Sequence, residues 1–288
     1  MVIDYILVII ALAWLSFASI HDIKKREVPD WLNYSLIIIA FGLRVIHSIV
    51  FKEFTFFLHG LIGFVILFIL ANILYYAKQW GGGDSKLLMG MGIVFATYPE
   101  SLLKFFNPNL DIPFLIIIVI NIFIVGSIYG IFWSVGLTVK NYKEVFKELK
   151  KQKSLNRSLL IFAVIMAILS FLFFNTLNKI IIIALIAFIL ILTYLTAFIK
   201  SVEKVTMVKE IPTNKLTEGD WIVKPVYSHN RLIYSTKDPG ISKKQIDLLK
   251  KYGIKSVTIK EGIPFVPSFL LGVLTSLVIG NVITILFI

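Results

Sequence analysis

The sequence predicts an all-α polytopic membrane protein, of about six to eight transmembrane helices, carrying a small α+β cytoplasmic domain. Three observations lead there. Of the 288 residues, 58% are hydrophobic and only 16% charged, where soluble domains keep about 25% charged residues. The apolar residues gather in runs long enough to cross a bilayer, and the basic residues gather between alternate runs.

A span needs about 20 predominantly apolar residues to cross ~30 Å of hydrocarbon. Eight runs approach that length, at roughly 2–20, 32–51, 55–77, 87–106, 113–138, 158–175, 179–199 and 265–288. The first lacks a basic leader and a small-residue cleavage site, so it is expected to stay as a helix rather than be removed as a signal peptide. The fourth is the weakest, because Tyr98, Pro99, Glu100 and Lys104 interrupt it. With the N-terminus outside, segments 21–31, 78–86, 139–158 and 200–264 face the cytoplasm. They hold 3, 2, 7 and 13 of the 29 Lys and Arg residues. Cytoplasmic loops carry this excess in membrane proteins, so the net charge of +12 calls for anionic lipid and not for nucleic acid.

The organisation expected is therefore catalytic transmembrane helices over 1–138, a basic cytoplasmic loop at 139–158 and a transmembrane pair over 159–199. A small soluble domain follows at 200–264, and a last transmembrane helix at 265–288. Within the soluble segment, Val202–Ile211, Asp220–Tyr227, Leu232–Ser235 and Ser256–Ile259 have strand character. Ser242–Tyr252 has the pattern of a short amphipathic helix stopped by Gly253. The Lys-rich loop at 139–158 reads as a solvated amphipathic helix.

Cysteine is absent, which excludes disulfides, thiolate chemistry and Cys-ligated metals. His21, His47, His59 and His229 are far apart with no metal-ligand spacing, so neither a metal nor any other cofactor is expected. The chemistry must come from carboxylates, which are costly at membrane depth. Asp22 follows the first apolar run directly, and Asp84 opens the fourth. Asp84 stands in Trp80-Gly-Gly-Gly-Asp84-Ser-Lys86, where glycines leave room for close backbone packing and the helix start favours a carboxylate. Taken alone, this is also what a capped helix after a flexible turn looks like. A phosphate cradle is disfavoured, because the P-loop spacing and the Ser/Thr after Lys are missing. Asp22 lies in a basic loop with Pro29 opening the next helix. Two carboxylates held together cannot both ionise easily, so one can take a proton from water while the other gives one to a carbonyl oxygen.

Asp22 followed by Val28-Pro29 and Leu32, then Gly81-x-Gly83-Asp84-x-Lys86-Leu87 with the aspartates 62 positions apart, resembles the prepilin peptidase family, and within it the archaeal branch that processes preflagellin (archaellin) and pilin-like precursors. Members are GxGD membrane aspartyl proteases. The resemblance implies catalytic roles for Asp22 and Asp84, and proteolysis of archaellin or pilin-like precursors bearing short basic leaders, at the cytoplasmic face of the cell membrane. Pro29, Gly81, Gly83 and Lys86 would support the motifs, and Glu27 and Asp30 would meet the basic leader. Gly262-Ile-Pro-Phe-Val-Pro-Ser also resembles a segment opening a late helix in bacterial relatives. Bacterial members that methylate the new N-terminus carry a cysteine-rich domain, absent here, so cleavage without N-methylation is expected. Presenilin-like enzymes share Gly-x-Gly-Asp but pair it with Tyr-Asp and Pro-Ala-Leu, whereas His21 precedes Asp22 here. The alternative from another class is an ion-coupled transporter using Asp22 and Asp84 as an ion or proton site, although such sites usually lie at the bilayer midplane.

Overall fold

The computed structural model describes residues 2–151, 153–173, 175–229 and 231–286. Its helices are α1 (Val2–Lys25), α2 (Asp30–Phe51), α3 (Phe54–Tyr76), α4 (Gly82–Val94), α5 (Phe114–Lys140), α6 (Tyr142–Lys151), α7 (Lys153–Phe173), α8 (Thr176–Val202), α9 (Lys243–Lys251), α10 (Val266–Val278) and α11 (Val282–Leu286). Its strands are β1 (Val208–Pro212), β2 (Trp221–Ile222), β3 (Val226–Ser228), β4 (Arg231–Tyr234) and β5 (Ser256–Lys260). Among the described residues, five helices are long and apolar enough to span a membrane: α1, α2, α3, α5 and Thr176–Met207. The chain is a polytopic membrane protein with a small strand-containing domain, as its composition predicts.

Two apolar runs expected as single helices are broken. The run at 87–106 holds only α4 and a 3-10 turn at Glu100–Lys104, because a residue before proline is pushed out of helical geometry and Pro99 stands between them. The Tyr98 hydroxyl then donates to the Leu277 carbonyl at 2.9 Å. The 13 residues of α4 reach roughly 20 Å, well short of the bilayer core. The run at 265–288 ends α10 at Val278 and turns at Gly280, whose φ is +80°. There the Asn121 amide of α5 donates to the Ser276 hydroxyl at 2.9 Å and the Gly280 carbonyl at 2.7 Å.

The described chain packs as two units, Met1–Gly130 with Ile211–Ile288, and Ile131–Glu210. In the first, α1 buries Leu7, Ala11, Leu15 and Ala18 on one stripe at helical spacing. These meet Leu32, Leu36 and Ala40 of α2, Leu87 and Met91 of α4, and Phe269 and Val273 of α10. Ile9, Phe17, Ile38, Ile49 and Ile69 point outward, as residues facing lipid do. Helices α3 and α4 cross at Gly63 and Gly92, and a Cβ on either would run into the other's carbonyl oxygen; small residues permit this approach in membrane bundles. Arg44 is 2% exposed within α2. Its guanidinium donates to the carbonyls of Phe56 at 2.6 Å and Val94 at 3.1 Å and lies over the Phe56 ring.

The strand-containing part of this unit has its own core, which includes Leu216, Ile222, Ile233, Tyr234, Ile246, Leu249, Val257 and Ile259. Strand β2 pairs antiparallel with β5, and β3 with β4. The stretch expected as one strand at Asp220–Tyr227 is two, parted before Pro225, which has no N–H for a ladder. Helix α9 starts at a Ser242–Gln245 capping box and ends before Gly253 at φ +69°, as expected. In the second unit, α6 is the amphipathic helix expected within 139–158. It buries Val145 and exposes Lys143, Lys147, Lys150 and Lys151, and Glu148 pairs with Lys151 and Lys204. Residues 202–207, expected in a strand, instead complete α8 and a π turn at Glu203–Met207. Extending an existing helix costs far less than starting one, which outweighs the β-branched Val205 and Thr206.

Candidate active site

Asp22 lies on the last turn of α1 and is 7% exposed. The Val266 N–H, at the start of α10, donates to its Oδ2 at 2.9 Å, and the Phe265 N–H also bonds the carboxylate. Pro264 and Pro267 flank these two donors, and each proline fixes its own φ. The anchor is thus the free N–H end of a 13-residue helix, where the dipole favours negative charge. The Arg26 guanidinium and the Tyr129 hydroxyl of α5 lie within electrostatic reach of the same carboxylate. Arg26 itself closes α1 in left-handed conformation, φ +60°, donating its N–H to the Asp22 carbonyl at 2.9 Å.

Asp84 occupies the first turn of α4, and its Oδ2 accepts from the Gly81 N–H at 3.1 Å. It lies outside the five long apolar helices. Burial first, and the nearby Asp22 carboxylate second, push its carboxyl up to about 7, against the opposing pull of the Gly81 N–H. The two aspartates therefore lie within electrostatic reach of each other, although they come from different helices.

The motif residues have distinct places. The left-handed residue of the turn before α4 is Lys78, φ +57°, and none of the three glycines has positive φ. Gly83 instead supplies space: a Cβ there would stand 3.0 Å from the Val28 Cβ, so a bare backbone lets the start of α4 pack on the loop that follows Asp22. Pro29 is the N-cap of α2, with φ −60° and ψ 136°. Lys86 pairs with Asp30 at 2.5 Å and lies 5.3 Å from the Tyr34 ring centre, tying α4 to α2. Glu27 is exposed, and Asp220 of the strand-containing domain feels the charges of both Glu27 and Glu261. Burial, with lesser contributions from these two carboxylates, raises Asp220 above the ordinary carboxylate range. Lys78 Nζ donates to the Thr236 carbonyl, a second link between that domain and the loop before Asp84.

Sequence reasoning missed Arg26, Tyr129 and the backbone donors at 265–266. The proline pair around Phe265-Val266 was the visible signal for the donors. Tyr129 gave a weaker one, as a polar tip within an apolar helix. Among the described residues, no group of His, Asp or Glu is placed to hold a metal ion.

Residues 9–134 match the model of the type IV leader peptidase family. Three curated relatives, each called preflagellin peptidase, are similar. That of Methanococcus maripaludis is 26% identical over 133 residues, 46% of this chain and 57% of the relative. That of Methanococcus voltae is 28% identical over 141 residues, 49% and 60%. That of Methanocaldococcus jannaschii is 31% identical over 84 residues, 29% and 36%. The aligned parts span about a third to three fifths of those relatives. No solved structure matches the chain. The matched region, 9–134, contains both Asp22 and Asp84, and over that region the chain is similar to the type IV leader peptidase family.

Proposed function

We propose that this chain is a membrane aspartyl endopeptidase that removes short basic leader peptides from archaellin or type IV pilin-like precursors at the cytoplasmic membrane face, without N-methylation. One observation carries the reading: two carboxylates on separate helices are each held by backbone N–H donors, and burial, together with the Asp22 charge, raises Asp84 to about 7. A pair of this kind shares one proton near neutral pH. Its ionised member takes a proton from water, whose oxygen attacks the scissile carbonyl carbon, while the protonated member gives its proton to the carbonyl oxygen. The resulting gem-diol collapses, the C–N bond breaks, and the leaving amine takes up a proton. No metal or cofactor enters these steps.

The basic loops beside both aspartates support the cytoplasmic placement, as does the attachment of a water-soluble domain on that side. The names of the relatives support a leader-bearing substrate. Glu27, exposed beside Asp220, would meet the positive charges of a leader; Asp30 shares that rim, with Lys86 as its ion-pair partner. The test is cleavage of archaellin and pilin-like precursors by the purified protein in detergent, with the new N-termini read by mass spectrometry. Asp22→Asn and Asp84→Asn are each expected to lose cleavage while remaining folded. Full activity in either, or ion flux in proteoliposomes that depends on both carboxylates, would overturn the reading.

A further inference from the structure

We propose that Trp80 is a positioning residue: its indole clamps the α10 start that holds Asp22 against the turn that holds Asp84, and so sets the separation of the two carboxylates. The inference rests on the proteolytic reading of the pair, but its geometry does not.

Trp80 immediately precedes Gly81, the residue whose N–H bonds Asp84. Its side chain is 6% exposed, and it sits among three phenylalanines. It stacks on Phe123 of α5 with ring centres 5.5 Å apart and planes at 24°, and it meets Phe265 at 5.6 Å and Phe269 at 5.1 Å. Phe265 is itself one of the two residues whose N–H groups hold Asp22. The path from carboxylate to carboxylate therefore runs from Asp84 to the Gly81 N–H, to the Trp80 ring, to the Phe265 ring, and through residues 265–266 to Asp22. A rigid aromatic contact is the middle link.

The far side of Phe265 is closed as well. A Cβ on Gly126 would stand 2.9 Å from two of its ring carbons, so Phe265 is gripped between Trp80 and the bare backbone of α5. Aromatic rings at these separations gain from offset and edge contacts, and a filled core resists small displacements. A sub-ångström shift of this ring moves the donors of Asp22 directly. Simple core packing would make Trp80 matter for folding only; a clamp makes it matter for chemistry and for carboxylate spacing in a protein that still folds.

The experiment compares Trp80→Leu, Trp80→Phe and Gly126→Ala in the full chain, purified in detergent. Trp80→Leu is expected to lower kcat for precursor cleavage by about 100-fold, the cost typical of misplacing reacting groups by about 1 Å, with KM within about twofold. Trp80→Phe is expected to restore most of kcat, since it keeps a ring against Phe265. Gly126→Ala pushes on Phe265 from the other side without touching Trp80 or either aspartate, and should lower kcat in the same way. Asp84 is faced by Asp22 from α1, with Arg26 and Tyr129 beyond it, and only the Asp22 charge grows weaker as the pair separates. The alkaline limb of the pH–rate profile should therefore move to lower pH in Trp80→Leu.

The chain has no native cysteine, so an Asp22→Cys/Asp84→Cys variant reports spacing without any activity. A short bifunctional thiol reagent should join the two positions faster when Trp80 is present than when Leu replaces it. Unchanged kcat and unchanged cross-linking in folded Trp80→Leu would overturn the clamp. If Trp80→Leu does not fold, Gly126→Ala decides alike on the same two readouts. Cleavage that survives Asp22→Asn and Asp84→Asn defeats the proteolytic reading instead, and cross-linking still judges the clamp.

Discussion

The Val266 N–H donates to the Asp22 carboxylate at 2.9 Å, across 244 residues of sequence. That bond makes a backbone group, at the head of a late helix, part of the site formed by the first and fourth helices.

Removing this donor is the direct test of its importance. Val266→Pro deletes the N–H at the first position of α10, whereas Val266→Ala keeps it. A hydrogen bond to a charged group contributes about 1.5–3 kcal/mol, so Val266→Pro is expected to slow cleavage roughly 10- to 100-fold. Val266→Ala should stay within about threefold of wild type. Precursor cleavage at saturating substrate, with circular dichroism as the folding control, measures both.

The glycines of the Asp84 turn should separate cleanly under substitution. A Cβ at Gly83 stands 3.0 Å from that of Val28, while one at Gly81 meets only Asp84 Oδ2, at 3.4 Å, on backbone with ordinary φ. Gly83→Ala is therefore expected to cost about 1–3 kcal/mol through overpacking and to lower activity. Gly81→Ala should be near neutral. Thermal unfolding in detergent, paired with the cleavage assay, distinguishes the two.

The pH profile follows from the sign of the Asp84 shift. Its carboxyl is raised from 3.8 to about 7, so the proton persists almost to neutrality and is lost as pH rises through that value. The alkaline decline in kcat/KM is expected to centre near pH 7. The folded state also keeps a proton that the unfolded chain releases near 3.8, so this group's contribution to stability falls as pH rises from there to about 7. Asp84→Asn should remove that slope, as read from melting temperature against pH.

At the crossing of α3 and α4, backbone meets backbone, so Gly92→Leu is expected to prevent a stable fold. Gly42→Ala, where a Cβ would meet nothing within 4 Å, should leave melting and cleavage unchanged. Size-exclusion profile and melting temperature settle the pair.

Much of this was readable beforehand, for physical reasons. The cost of charge in hydrocarbon gathers most Lys and Arg between the apolar runs, and it makes Asp22 and Asp84 conspicuous at helix ends. The capping box at Ser242 and the left-handed stop at Gly253 are local signals, and they hold. What could not be read depended on groups without their own letter or on distant partners. The N–H of Val266 belongs to every residue type but proline. The role of Trp80 depends on Phe265, 185 positions later. Arg44 is a cation within an apolar helix, and its partners are carbonyls of α3 and α4 that no side-chain pattern encodes. The break after Val94 was hinted at by Pro99, yet hydropathy averaged over a window concealed it.

The bond that joins Asp22 to residue 266 also has a meaning in time. A ribosome delivers Asp22 and Asp84 early, when the helix that orients Asp22 has not been made. Until synthesis has passed Val266 and α10 has docked on α1, the nascent chain holds two acidic side chains without the scaffold that fixes one of them. The surroundings of Asp22 are thus completed only once α10 has been made.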